Sequence, residues 1–287
     1  MLKQKRNLLA AGVLLLITIS TITASLWSQT SPSFIDPALR LLSPSTEHWF
    51  GTDHFGRDIF IRTIYAARVS LIVGVVVAVV ATLLGTITGL IAGYYNKADS
   101  IIMRIVDGML AFPGLILALA LVAALGGSVM NILIALGFAF WPVMTRIVRA
   151  AVLQVKNVQY IEAAKTTGAS DFVIMTTYIL PNILSPIIVQ GTFTFARAIL
   201  AEAALSFLGI GVNPSTPTWG NMLQEAQIYI SMAPWFSVFP GLGIVITVLA
   251  LNMLGDGIRD AFDPHTKKQL KKRKKVLNGS RQKYAKA

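Results

Sequence analysis

Val69-Ser-Leu-Ile-Val-Gly-Val-Val-Val-Ala-Val-Val-Ala-Thr-Leu-Leu-Gly85-Thr-Ile-Thr-Gly89-Leu-Ile-Ala-Gly93-Tyr-Tyr95 runs for 27 residues without one charge. At 1.5 Å per residue a helix of this length exceeds the roughly 30 Å of hydrocarbon in a bilayer. The stretch therefore reads as a membrane span. Gly85, Gly89 and Gly93 recur at four-residue spacing, which lets a second helix approach closely where no hydrophobic effect drives packing.

The rest of the chain agrees with that solvent. Of 287 residues, 54% are hydrophobic and 13% charged, against roughly 25% charged in a soluble domain. Segments 8–27, 101–124, 128–151, 172–198 and 236–258 have span length as well, so the expected fold is all-α and polytopic, with six transmembrane helices. The fifth is interrupted by Pro181 and Pro186, tolerated where neighbours satisfy the freed carbonyls. Three units follow: 1–67 (tip, first helix and outer loop), 68–258 (a five-helix membrane domain) and 259–287 (a basic tail).

Charge sets the orientation. Eleven of the 25 Lys and Arg lie from Arg259 onward, and Lys3, Lys5 and Arg6 precede the first span. Placing both termini in the cytoplasm leaves only Arg40, Arg57, Arg62, Arg68 and Arg197 on the outer side. The net charge of +12 thus reads as a topology signal and an anionic-lipid contact; no nucleic-acid motif accompanies it. Lys3 to Arg6 followed by an apolar run also has the shape of a signal peptide. The poor cleavage site near Ala24 favours an uncleaved anchor. The chain has no cysteine, which excludes disulfides and thiolate chemistry.

Between the fourth and fifth spans, segment 154–181 turns polar. Tyr160, Ile161, Ala164 and Gly168 recur at helical spacing, with Glu162 and Lys165 on a wetter side. A short amphipathic helix ending at Gly168 is expected, followed by one capped by Ser170 or Asp171. On periodicity alone this is an ordinary interfacial helix.

The order of residues adds to that. Glu162-Ala163-Ala164, then Gly168, then Tyr178-Ile179-Leu180-Pro181 resembles the EAA loop of membrane subunits of ATP-binding-cassette importers. Gly51-Thr52-Asp53-His54-Phe55-Gly56-Arg57-Asp58 resembles a signature of the dipeptide/oligopeptide/nickel permease group. Arg104 to Asp107, Phe112-Pro113, Ala203 to Gly211, Trp219-Gly220 and Asp263-Pro264 are also similar to that group. The resemblance covers roughly residues 48–265 and points to its second-permease type. Tyr178 stands where an aliphatic residue is common in the family.

That resemblance implies half of a type I importer pore in the cell membrane. Its cargo would be short peptides, nickel or a metal chelate. Partners would be a second homologous permease, two ATP-binding subunits or domains and an extracytoplasmic substrate-binding protein. Glu162, Ala163, Ala164, Gly168, Leu180 and Pro181 would couple the chain to the ATPase. No Gly-Lys dipeptide occurs anywhere, so no phosphate loop is present and the chain is not expected to be an enzyme. No cofactor is expected.

Other side chains read from their own chemistry. Asp107 lies one turn from Arg104, which reads as an ion pair near the interface rather than a proton relay. Arg197 and Glu202 either line the substrate path or brace the bundle. Gly51, Thr52, Asp53, Gly56, Arg57 and Asp58 read as a structural loop, with Asp58 or Asp53 pairing with Arg57 or Arg62. His48 and His54 share that loop without the spacing of a compact metal site, and no metal is expected. His265 carries no assignment. Segment 199–235 carries Trp219 and Trp235 with Pro214, Pro217 and Pro234; its topology and the family resemblance imply that it covers the outer gate and meets the binding protein. An ion-driven secondary transporter would need mid-span carboxylates and paired broken helices; a membrane scaffold would bind no ATPase.

Overall fold

The computed structural model describes residues 2–28, 31–213 and 215–262. Among these, five helices are long and apolar enough to cross a membrane, and a bent pair makes a sixth if counted as one span. Apart from an isolated bridge between Thr52 and Asp58, the described residues contain no extended pairing. The basic tail and His265 lie outside the described residues, as do Pro214 and Asp263-Pro264.

Helix α1 (Leu2–Trp27) lies against α10 (Trp235–Phe262) and α2 (Ile59–Tyr94). The last is 36 residues long and so reaches about 54 Å. It starts where the Asp58 carboxylate accepts a hydrogen bond from Ile61 N at 3.0 Å, an N-cap satisfying one otherwise orphaned donor. Ile72, Val75, Val79, Leu83 and Ile87 form one stripe on it that stays 45–58% exposed. In water that stripe would be a liability; in lipid, or against another membrane helix, it is the expected surface.

The opposite face of α2 packs on α5 (Val129–Val155). A Cβ on Gly85 would sit 2.5 Å from Met144, one on Gly89 2.6 Å from Val148, and one on Gly93 2.5 Å from Val152. Three glycines four apart thus accept three side chains four apart. The small-residue spacing is a helix-packing seam.

The third expected span is broken. Helix α3 (Asn96–Leu110) and α4 (Gly114–Leu125) meet at 86°. Pro113 causes the break, because its ring has no N–H for the carbonyl four residues back and clashes with it. Helix α3 carries Lys97, Asp99, Arg104 and Asp107 and buries only Val106, whereas α4 has no charge. At 12 residues α4 reaches about 18 Å, short of a bilayer core. Only with part of α3 does the pair approach span length.

After the short helix α6 (Gln159–Thr166), the fifth span runs from Asp171 to Phe207 in four pieces. They are α7 (Asp171–Val173), a π-helical turn Ile174–Ile179, a 3-10 turn Leu180–Ile183, and α8 (Leu184–Phe207). Pro181 explains the switch: its missing donor would break an α-helical ladder, and the widened and tightened turns take up that gap. Helix α8 continues well past residue 198, because Ala198, Ile199, Ala201, Ala203 and Leu205 are helix-forming and buried where α8 packs on α2 and α9.

Helix α9 (Trp219–Ala226) packs on α8, on α10 and on the N-terminal end of α2. Thr218 caps it, accepting from Asn221 N at 3.1 Å. Trp219 is buried, and its indole donates to Thr63 O at 3.0 Å. Three buried apolar clusters succeed one another along α2: around Ile59, Trp219 and Phe236; around Val77, Leu136 and Leu205; and around Met144, Val152 and Ile161.

Candidate functional site

Helix α6 presents two faces. Ile161 is buried in an apolar cluster with Val148, Val152, Ile174 and Ile179, and Ala164 is buried beside it on the helix. Glu162 and Ala163 are exposed. The helix stops at Gly168, whose φ is +82°. Gly168 N donates to Lys165 O and Ala169 N to Ala164 O, both at 3.1 Å, which is the paired pattern of a Schellman C-cap. A Cβ on Gly168 would meet no atom within 4 Å, so the need for glycine is torsional rather than steric.

Beyond that turn, Ser170 Oγ accepts from Val173 N at 3.4 Å and starts α7. The Asp171 carboxylate accepts from Tyr94 Oη at 2.6 Å and from Tyr95 Oη at 2.9 Å. Leu180 is half-buried against the same inner cluster, while Pro181 is exposed. The six residues of the EAA pattern therefore fall on one short helix, the turn ending it and the broken start of the fifth span.

The charges on α3 are arranged differently from the sequence expectation. Asp107 is held by Arg146 of α5 at 2.6 Å, not by Arg104 one turn away on its own helix. Helix α5 packs beside α3 and puts the Arg146 guanidinium within reach of this carboxylate. Beside it, Arg149 grips Asp99 with two bonds of 2.5 and 2.7 Å. That double hydrogen bond holds the Asp99 carboxylate ionised against α5.

Arg197 and Glu202 do not form one site. Arg197 is exposed on α8. Glu202 is fully buried and accepts from Ser70 Oγ at 2.9 Å and Ser206 Oγ at 2.8 Å. It ties α2 to α8 and has no opening to a path, so of the two alternatives its geometry is that of a brace.

The outer loop is built around Asp53, which is fully buried. Its Oδ1 accepts from Phe55 N at 2.8 Å and Arg57 N at 3.0 Å, and its Oδ2 from Arg57 Nε at 2.6 Å. Arg57 Nη2 also donates to Glu225 Oε2 at 2.6 Å, and Arg62 Nη2 reaches the same oxygen at 3.1 Å. Asp58 stays out of this cluster: besides capping α2, it pairs with His48 Nδ1 at 2.8 Å. Thr52 Oγ1 donates to Leu39 O and accepts from Leu42 N, and Gly51 and Gly56 supply the positive φ angles of the turn.

Glu225 had no place in the sequence reading. Its only signal was an acid on an outer segment devoid of Lys and Arg. Asp53, His54 and Glu225 bring potential metal-ligand atoms within 4.8 Å of one another. Both carboxylates already carry Arg57 and Arg62 guanidinium groups, so the cluster is charge-compensated as it stands. His54 lies among Phe55, Tyr229 and Phe236, and burial pushes its pKa below the usual 6.5.

The fold is that of a polytopic membrane helix bundle carrying a short helix with one exposed face. The chain belongs to the family of binding-protein-dependent transport system inner membrane components, whose pattern matches residues 81–268. It is 48% identical over 267 residues to the dipeptide transport system permease protein DppC of Alkalihalophilus pseudofirmus, covering 92% of this chain and 88% of that one. To the glutathione transport system permease protein GsiD of Pectobacterium atrosepticum it is 43% identical over 261 residues, 90% and 87% of the two chains. A putative peptide transport system permease protein of Brucella suis is 43% identical over 267 residues, 93% and 90% of the two chains. Among solved structures, the inward-facing MetNI methionine ABC transporter superposes with a TM-score of 0.59 at 19% identity, over 71% of this chain and 95% of that one. That likeness is one of fold. The chain is thus a multi-pass membrane permease subunit of an ATP-binding-cassette importer, with ATP hydrolysis in separate subunits.

Proposed function

We propose that this chain forms half of a translocation pore for short peptides, moved by a separate ATPase that seats on α6. The observation carrying this reading is the division of α6: Glu162 and Ala163 are exposed while Ile161 and Ala164 anchor the helix in the inner core. A surface of one acid and one small side chain suits close approach by a partner's groove, with Glu162 offering a charge-assisted hydrogen bond. Gly168 ends the helix, and Leu180-Pro181 joins it to the fifth span. The relatives named for dipeptide, peptide and glutathione transport support a peptide cargo over the nickel alternative.

The rest of the assembly follows from the reading. A second homologous permease completes the pore, two ATP-binding subunits or domains drive it, and an extracytoplasmic substrate-binding protein delivers cargo to the outer face. Both termini lie in the cytoplasm, on the side of α6, as the Lys and Arg distribution requires. Residues 68–258 act as the pore domain, and the basic tail beyond 259 contacts anionic lipid.

The test is reconstitution with the neighbouring subunits. ATPase should co-purify with the parent chain and be stimulated by a dipeptide presented with the binding protein. Glu162→Lys should lose ATPase association and uptake while inserting normally. Uptake at the parent rate in Glu162→Lys rejects the coupling role.

A further inference from the structure

Helix α6 is only eight residues long and buries two side chains, too little to fix its own orientation. Its fastening comes from both flanks and converges on four consecutive residues. On one side Lys156 Nζ donates to Gly93 O at 2.9 Å and lies 3.3 Å from Asn96 Oδ1. On the other, Asp171 accepts from both Tyr94 and Tyr95, and the Lys165 ammonium stands 5.6 Å from the Tyr94 ring centroid. Gly93 to Asn96 is the inner end of α2 and the first residue of α3.

Helix α2 is also the element that holds the outer end. Arg62 reaches Glu225 of α9, Thr63 O receives the Trp219 indole, and Ser70 donates to Glu202. One unbroken 36-residue helix therefore connects the mount of α6 to α9. No proline interrupts its hydrogen-bond ladder, so a displacement at one end has a continuous helix along which to reach the other.

We infer that Tyr94, Tyr95 and Asp171 are positioning residues for coupling: they bracket α6 to α2, and α2 carries its motion to α9. The inference rests on the ATPase-driven reading above. Tyrosines at this depth are also common as amphipathic interface anchors, but an anchor needs no carboxylate between two hydroxyls. The hydroxyl–carboxylate pairing is the part that distinguishes a bracket from a belt.

The chain lacks cysteine, which makes a single reporter clean. Ile228, 79% exposed just beyond α9, is replaced by Cys in the full complex with its ATPase subunits, and its maleimide labelling rate is read with and without a non-hydrolysable ATP analogue. The parent should show an analogue-dependent change. Tyr94→Phe/Tyr95→Phe should keep ATPase association and insertion but lose at least about fivefold of that change. Asp171→Asn should lose as much, the combination no more than either, and Asp171→Glu should restore part.

A full response in the double Phe variant overturns the bracket, as does additive loss in the combination. A parent whose ATPase is bound but whose Ile228→Cys label does not respond overturns transmission through α2. Loss of ATPase binding in the Phe variant also overturns it, by making the tyrosines docking surface instead. A parent that binds no ATPase at all removes the functional reading itself, a failure visible before any tyrosine is changed.

Discussion

Arg57 donates to Glu225 at 2.6 Å across 168 residues of sequence, joining the outer loop to a helix that no local signal connects to it. Arg62, nearly fully buried, donates to the same carboxylate. Removing one partner of a buried pair leaves an uncompensated charge, which costs about 3–5 kcal/mol. Glu225→Ala should therefore lower the melting temperature of the detergent-solubilised chain sharply, and Glu225→Asp much less. Equal melting of Glu225→Ala and the parent would show that the guanidinium groups find water instead.

Two glycines with similar torsions should behave differently. At Gly56, φ +75°, a Cβ would lie 1.8 Å from Asp36 O, so Gly56→Ala must displace backbone. At Gly168, φ +82°, the space is open and the cost is the left-handed torsion alone, about 1–2 kcal/mol. Purified yield and thermal unfolding should therefore fall far more for Gly56→Ala. A larger loss for Gly168→Ala would reverse the ranking.

Buried Glu202 offers a test of the brace between α2 and α8. Glu202→Ala strands the Ser70 and Ser206 hydroxyls, at about 1–3 kcal/mol for each donor left unsatisfied. Glu202→Gln keeps a hydrogen-bonding group of the same length and should lose less. Thermal unfolding of the two variants compares them directly; if both match the parent, the brace contributes nothing.

His54 gives the outer loop a pH dependence of known sign. Its folded pKa lies below 6.5, so the unfolded chain binds the proton more readily. The contribution of His54 is fully present above 6.5 and is lost as pH falls from there through the folded pKa. Replacing it with Phe should flatten the fall in melting temperature between neutral and mildly acidic pH. An unchanged slope would assign that acid sensitivity to other groups.

The exposed Arg146–Asp107 pair predicts the opposite of the outer cluster. Both side chains are more than half exposed, where such pairs contribute about 0–1 kcal/mol. Asp107→Asn should melt within a degree or two of the parent, and a drop comparable to Glu225→Ala would mean that the pair is desolvated in the assembled complex.

What the sequence disclosed follows from what is local. The charge-free run from Val69 to Tyr95 and the glycines at 85, 89 and 93 are properties of one helix and its period, and both the helix and its seam were readable. So was the short helix ending at Gly168, with Ile161 and Ala164 on its buried side; Tyr160, expected on the same side, is exposed instead. The break at Pro113 was missed because hydropathy averages over a bend. The partners of Asp107 and Asp53 were misread or left open because they come from other helices, and distance in sequence carries no signal of contact. Glu225 was invisible for the same reason.

The π-helical turn at Ile174–Ile179 holds one residue more than an α-helical turn over the same rise. Deleting Thr177 would let the segment relax to ordinary winding while α8 keeps its facing, so Glu202 would still meet Ser70. Removing a residue from the regular winding of α8 ahead of Glu202 would instead turn that carboxylate by about 100° away from its partner. The irregular turn thus works as slack: it takes up one extra residue without passing a rotation on to the contacts beyond it.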